Sequence, residues 1–110
     1  MTTYQKNLIK LACRVWDVDT MCSQKQGSVR ARYAYFWVLY MRGITMSEIG
    51  KFPNRHYTHC LVSYGISKHH KLYEEDEEYK AKYEKMIGLL KTLKEPSLLD
   101  GVEHKAFPKK

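Results

Sequence analysis

The segment that most constrains this chain is Tyr33 to Met41, nine consecutive residues (Tyr-Ala-Tyr-Phe-Trp-Val-Leu-Tyr-Met) with no charge and no polar stripe. A helix that is apolar on every side must be buried on every side. A buried strand is the alternative, but the fourteen residues Val29–Arg42 contain no breaker, which favours a helix. Gly43 ends it in the favoured C-terminal manner. The run is about half of the ~20 residues needed to cross a bilayer, so it predicts the central helix of a soluble domain. Stacking of these aromatics on single-stranded bases is the minor alternative to a core role.

A chain of 110 residues permits one compact domain around that helix. Leu8, Leu11, Ala12, Val15 and Trp16 recur at helical spacing over Tyr4–Trp16. Asp17–Cys22 reads as a turn into one further helical turn capped by Asp19 or Thr20, and Ser23–Ser28 as an exposed loop. Thr45-Met46-Ser47-Glu48 has the form of a capping box and starts a short helix through Ile49 to Lys51. Phe52-Pro53-Asn54-Arg55 interrupts it. Thr58 can cap the next helix, with Leu61, Val62, Gly65, Ile66, His69 and Leu72 on its apolar side. Tyr79, Tyr83, Met86, Ile87, Leu90 and Leu93 form one face of a last helix, which opens on the acidic run Glu74–Glu78 and closes at Pro96. The reading is an all-α multi-helix bundle over residues 1–95 with a C-terminal amphipathic helix, followed by a mobile tail over 96–110. No strand-rich region is expected.

The charge is uneven. The net charge is +7, and up to Leu72 eleven Lys/Arg stand against Asp17, Asp19 and Glu48, a balance of +8. The remaining residues carry eight Lys and nine carboxylates. A basic body attracts polyanions, because neutralising phosphates releases condensed counterions. No signal peptide is visible, and three cysteines (Cys13, Cys22, Cys60) form no close pair, so a reducing, cytoplasmic setting is expected, with nucleoid association where the polyanion bound is DNA. The His and Cys spacings match no common zinc pattern, and no nucleophile–base pair or glycine-rich phosphate loop is recognisable. The expectation is a protein that is not an enzyme and needs no metal or cofactor.

A capped short helix, a turn and a second helix carrying Thr, Ser, His and Lys form a helix-turn-helix pattern. From about Leu8 to Ile87 the chain resembles the C-terminal DNA-binding domain of the bacterial chromosomal replication initiator DnaA. The resemblance is carried by Asp19-Thr20-Met21-Cys22, then Arg30-Ala31-Arg32-Tyr33-Ala34. It continues through Met46-Ser47-Glu48-Ile49-Gly50, where the family reads Leu-Pro-x-Ile-Gly, and Arg55-His56-Tyr57-Thr58-His59-Cys60, where it reads Arg-Asp-His-Thr/Ser-Thr. The signature Asp is absent, and Pro53-Asn54 replaces the family's paired glycines. The resemblance implies a Trp-repressor-like helix-turn-helix fold, double-stranded DNA as partner, and a role at replication origins or in their regulation. The protein would be a free-standing relative without the ATPase module, with a replication protein as a possible second partner.

In a helix-turn-helix the second helix enters the major groove and its first turn reaches base edges. That turn carries Thr58, His59, Cys60 and Ser63, with Asn54, Arg55 and His56 just before it. Thr58 can serve as N-cap, base contact or both. His59 and Arg55 are DNA contacts or plain surface groups. Met46 and Ser47 would dock the short helix on one strand, helped by Lys51. Arg30 and Arg32 would grip the opposite backbone, Lys25 would probe the minor groove, and Lys68 would touch backbone. A competing reading is a protein-interaction adaptor, or a transcriptional regulator of a mobile element, that pairs with its partner through the apolar stripe of the last helix.

Overall fold

The computed structural model describes residues 2–53 and 55–92. Asn54, Leu93, the stop at Pro96 and the expected tail lie outside the described residues. The architecture is all-α: five helices and one minimal hairpin, in the order α1 (Thr3–Trp16), α2 (Gln26–Met41), α3 (Met46–Ile49), β1 (Lys51–Phe52), β2 (Arg55–His56), α4 (His59–Glu75) and α5 (Glu77–Thr92). No helix among the described residues is long and apolar enough to cross a membrane.

The fold is organised around α2. Ala31, Ala34, Tyr35, Phe36, Val38 and Leu39 are all but fully buried, but Tyr40 of the same apolar run is 43% exposed, so α2 is buried around most of its circumference and not on every side. α1 packs on one flank of α2, α4 on another, and α5 closes the bundle against α1 and α4. Gly65 of α4 sits where a Cβ would lie 2.7 Å from the Phe36 ring and 3.1 Å from Tyr33, so α4 approaches α2 more closely than a larger residue allows. Gly43, at φ 92°, terminates α2 in a left-handed conformation that L side chains rarely adopt.

Two elements depart from the sequence expectation, besides the acidic run Glu74–Glu78, of which Glu74 and Glu75 close α4 instead of opening α5. Residues 17–25 hold no helical turn. Asp17 takes a left-handed cap at φ 56°, and the Thr20 and Ser23 hydroxyls accept hydrogen bonds from the backbone N–H of Cys22 and Lys25. These side-chain bonds compete with helix formation. α2 also starts earlier than expected, at Gln26. It takes in Ser28, which is buried because its hydroxyl donates to the Thr20 carbonyl at 2.6 Å. The second departure is the hairpin. Lys51 pairs with His56 and Phe52 with Arg55, so two strands stand where a bare break was expected.

The stripe on α5 is internal. Tyr79, Tyr83, Met86, Ile87 and Leu90 are almost entirely buried, so it is spent on the core and offers no adaptor surface. Asp76 links α4 to α5: its carboxylate accepts from the Tyr79 N–H at 3.0 Å and pairs with Arg30 at 2.9 Å. Both interactions favour the ionised carboxylate and hold its pKa below the usual value, the backbone hydrogen bond contributing most.

Candidate nucleic-acid interface

The interface is built from α4 outward. Thr58 is its N-cap, its hydroxyl accepting from the Leu61 N–H at 3.3 Å. This one bond satisfies a backbone donor of the first turn and fixes where the helix begins. Val62, Gly65, Ile66 and His69 turn inward. His59, Cys60, Ser63, Ser67 and Lys71 are left exposed on the other side. The His59 Nε2 and the Cys60 sulfur lie 3.8 Å apart.

Helix α4 is not reached by a tight turn. Nine residues, 50–58, separate α3 from α4, and their geometry is set by one backbone approach. The Tyr57 N–H donates to the Gly50 carbonyl at 2.8 Å. A side chain on Gly50 would collide with the Tyr57 carbonyl oxygen. Tyr57 itself is buried, its ring edge-on to Phe52 at 5.5 Å and Phe36 at 5.9 Å. The guanidinium groups of Arg32 and Arg55 lie over it at 4.9 and 4.7 Å. The residue just before the cap of α4 is thus pinned to the core, which fixes the direction of the leading turn.

The candidate residues divide into two groups. Arg55 and His56 on β2, Thr58, His59, Cys60 and Ser63 are exposed within one stretch of chain running into α4. Ser47 and Lys51 are exposed on the neighbouring α3 and β1, and Met46 is half-buried. The Lys51 ammonium pairs with Glu48 at 3.0 Å, an exposed pair of small energetic consequence. That pairing leaves the capping box half made: the Thr45 hydroxyl accepts from the Glu48 N–H, while the Glu48 carboxylate turns to Lys51. Lys68 is half-buried, its ammonium 6.0 Å from the Tyr64 ring. Lys25 is the exposed N-cap of α2 and makes no side-chain capping bond.

Arg30 and Arg32 do not join the surface group. Arg30 is committed to Asp76. Arg32 donates to the carbonyls of Met21 and Ser23, which ties down the α1–α2 loop, and packs over Tyr57. Arg30 is held by a carboxylate, and Arg32 by two part-buried carbonyls and an aromatic face. Asn54 falls outside the described residues.

Sequence reasoning missed Leu61 and Tyr64. Spacing puts Leu61 on the apolar side, yet it is 48% exposed, and Tyr64 is 56% exposed. Tyr64 was legible, since it lies three and four residues from Ser67 and Cys60 and off the Val62–Ile66–His69 stripe. Leu61 carried no such signal. Tyr64 is braced edge-on against Tyr33 at 6.4 Å, so the face combines hydroxyls, imidazoles and cations with a held aromatic ring.

Comparison with protein-family models, with curated proteins and with solved structures finds no match in any of the three. The functional argument therefore rests on the chemistry of the face itself. From Met46 to Tyr73 the only carboxylate is Glu48, which is already paired. Among the described residues no group of three or more His, Cys, Asp or Glu side chains stands together to hold a metal ion.

Proposed function

We propose that this chain binds double-stranded DNA without chemistry, placing the leading half of α4 in the major groove. The observation that carries the reading is the outward face of α4. Its first three turns are uncovered, free of carboxylates, and preceded by exposed Arg55 and His56. Hydroxyl, imidazole and apolar side chains at this position suit base edges and thymine methyls. Cations on the hairpin and farther along α4 suit the flanking phosphates. With Arg30 and Arg32 committed internally, phosphate contact falls to Arg55, Lys51, Lys68, Lys71 and Lys25. The motif resemblance adds a finer reading: a divergent relative of the DnaA C-terminal domain, acting at replication origins or in their regulation.

Duplex binding measured by fluorescence anisotropy across a salt series tests this. Log affinity should fall with log salt at a slope of about −0.9 per phosphate engaged. The double variant Arg55→Ala/His59→Ala should weaken binding by about 2 kcal/mol or more, while Lys85→Gln on α5 should leave it within a factor of about two. A salt-independent affinity, or a double variant that folds and binds like the parent, refutes the placement of α4. Selecting bound sequences from a random duplex library then decides the finer reading. A motif akin to the initiator's box supports it, and an unrelated motif rejects it.

A further inference from the structure

Away from α4, a groove of about 320 Å³ lies between α1, the loop after it and the hairpin. Its apolar lining is Ile9, Met21, Phe52 and Pro53, and its cations are Lys6 and Lys10. The two lysines are one helical turn apart on α1, so their side chains neighbour each other on the helix surface. Both are exposed, and among the described residues neither is in an ion pair.

The walls are held from behind. Phe52 packs on Tyr57 and, at 5.4 Å, on Tyr35. Met21 is buried, and its carbonyl accepts from Arg32. Cys22, which also lines the groove, is half-buried, and its backbone N–H donates to the Thr20 hydroxyl at 3.1 Å. The concavity is therefore set by the packing of the fold itself, and its volume lies at the lower end of the range of small-molecule sites.

We propose that this groove binds a small amphipathic carboxylate, its apolar body on Ile9, Met21 and Phe52 and its carboxylate between Lys6 and Lys10. An apolar ligand without charge would gain nothing from the two exposed ammonium groups beside it. A small hydrophilic anion would leave the apolar wall in water. A carboxylic acid with an aromatic or short aliphatic body satisfies both halves. The site involves no residue assigned to DNA contact and stands independently of that reading. Its occupant would touch Phe52, which packs on Tyr57, the residue before the cap of α4.

The probe is 4-phenylbutyrate, titrated into isotope-labelled full-length protein and followed by NMR. A ligand of a dozen heavy atoms should saturate at about 1 mM. Shifts should concentrate on the Ile9 and Met21 methyls and the backbone amides of residues 20–22. The uncharged amide of the same acid, and the surface double variant Lys6→Gln/Lys10→Gln with unchanged melting temperature, should each bind at least about fivefold more weakly. Ile9→Gln should weaken both acid and amide. No saturable shift at these residues, equal binding of acid and amide, or an unaffected lysine variant overturns the proposal. So does a groove that takes an acidic leucine-bearing peptide but not the free acid.

Discussion

Replacing Gly50 with alanine should damage this fold more than its position at the end of a four-residue helix suggests. Gly50 has φ −77° and ψ −3°, which alanine adopts freely, so backbone strain is not the issue. The cost is steric. The added Cβ would run into the Tyr57 carbonyl oxygen and lie 3.0 Å from its carbonyl carbon. Both are backbone atoms, so no rotamer change relieves the clash and the second strand must move. That movement breaks the 2.8 Å Tyr57-to-Gly50 hydrogen bond, worth about 1 kcal/mol. It also shifts the Tyr57 ring from under two guanidinium groups, at about 0.5–1 kcal/mol each. Its edge contacts with Phe36 and Phe52 would loosen as well. The total is about 2–4 kcal/mol, or a melting temperature lower by roughly 10–25 °C for a domain of this size. Urea denaturation followed by far-UV circular dichroism measures it, with Gly88→Ala as the control. Gly88 meets nothing within 4 Å, so alanine there should stabilise α5 by about 0.5–1 kcal/mol. If Gly50→Ala costs less than about 0.5 kcal/mol at unchanged m-value, the close approach does not direct α4 and the reasoning fails.

Arg32→Gln should destabilise by about 2 kcal/mol, because the part-buried Met21 and Ser23 carbonyls lose a charged donor; an unchanged melting temperature would return Arg32 to the surface group. Tyr79→Phe removes the hydroxyl that hydrogen-bonds Nδ1 of the fully buried His69 at 2.7 Å, and should cost about 1–3 kcal/mol in thermal denaturation; a neutral result would show that this bond adds nothing net. Alkaline unfolding follows from the buried phenols. Burial pushes Tyr4 and Tyr73 up to about 12, Tyr73 helped by Glu84, and raises Tyr35, Tyr79 and Tyr83 as well. Folded values above the ordinary value of about 10 mean that this stability is fully present below pH 10 and is lost as pH climbs toward 12 and beyond. Phenolate absorbance and circular dichroism should change together over that window. Phenolate formation complete near pH 10 with the fold intact would contradict the burial argument.

Most of the helical skeleton was legible because its signals are local. The uninterrupted apolar run of α2, the cap at Thr58 and the 3.6-residue spacing on α1 and α5 need no knowledge of distant residues. The hairpin was not legible, since strands of two residues carry no periodicity and Phe52-Pro53-Asn54-Arg55 reads equally well as a break. The site followed the same division. The exposure of His59, Cys60 and Ser63 follows from their offset from Val62, Ile66 and His69. The fates of Arg30 and Arg32 do not follow from any spacing, because their partners lie 46 residues away at Asp76 and across the loop at Met21 and Ser23. Charge counting marks a residue as cationic without revealing what already neutralises it.

That distinction bears on how the proposed interface keeps its shape. A tight turn fixes two helices through its own few dihedral angles, whereas nine intervening residues leave many more to fix. Here the task passes to Tyr57, which has no exposed surface to offer a ligand yet bonds to Gly50, packs on Phe36 and Phe52, and sits beneath one arginine from α2 and one from β2. Arg32 extends the same connection to the loop that walls the lysine-lined groove. Groove, hairpin and leading turn of α4 therefore share one buried aromatic ring, and a displacement at any of them must be absorbed by the packing around it.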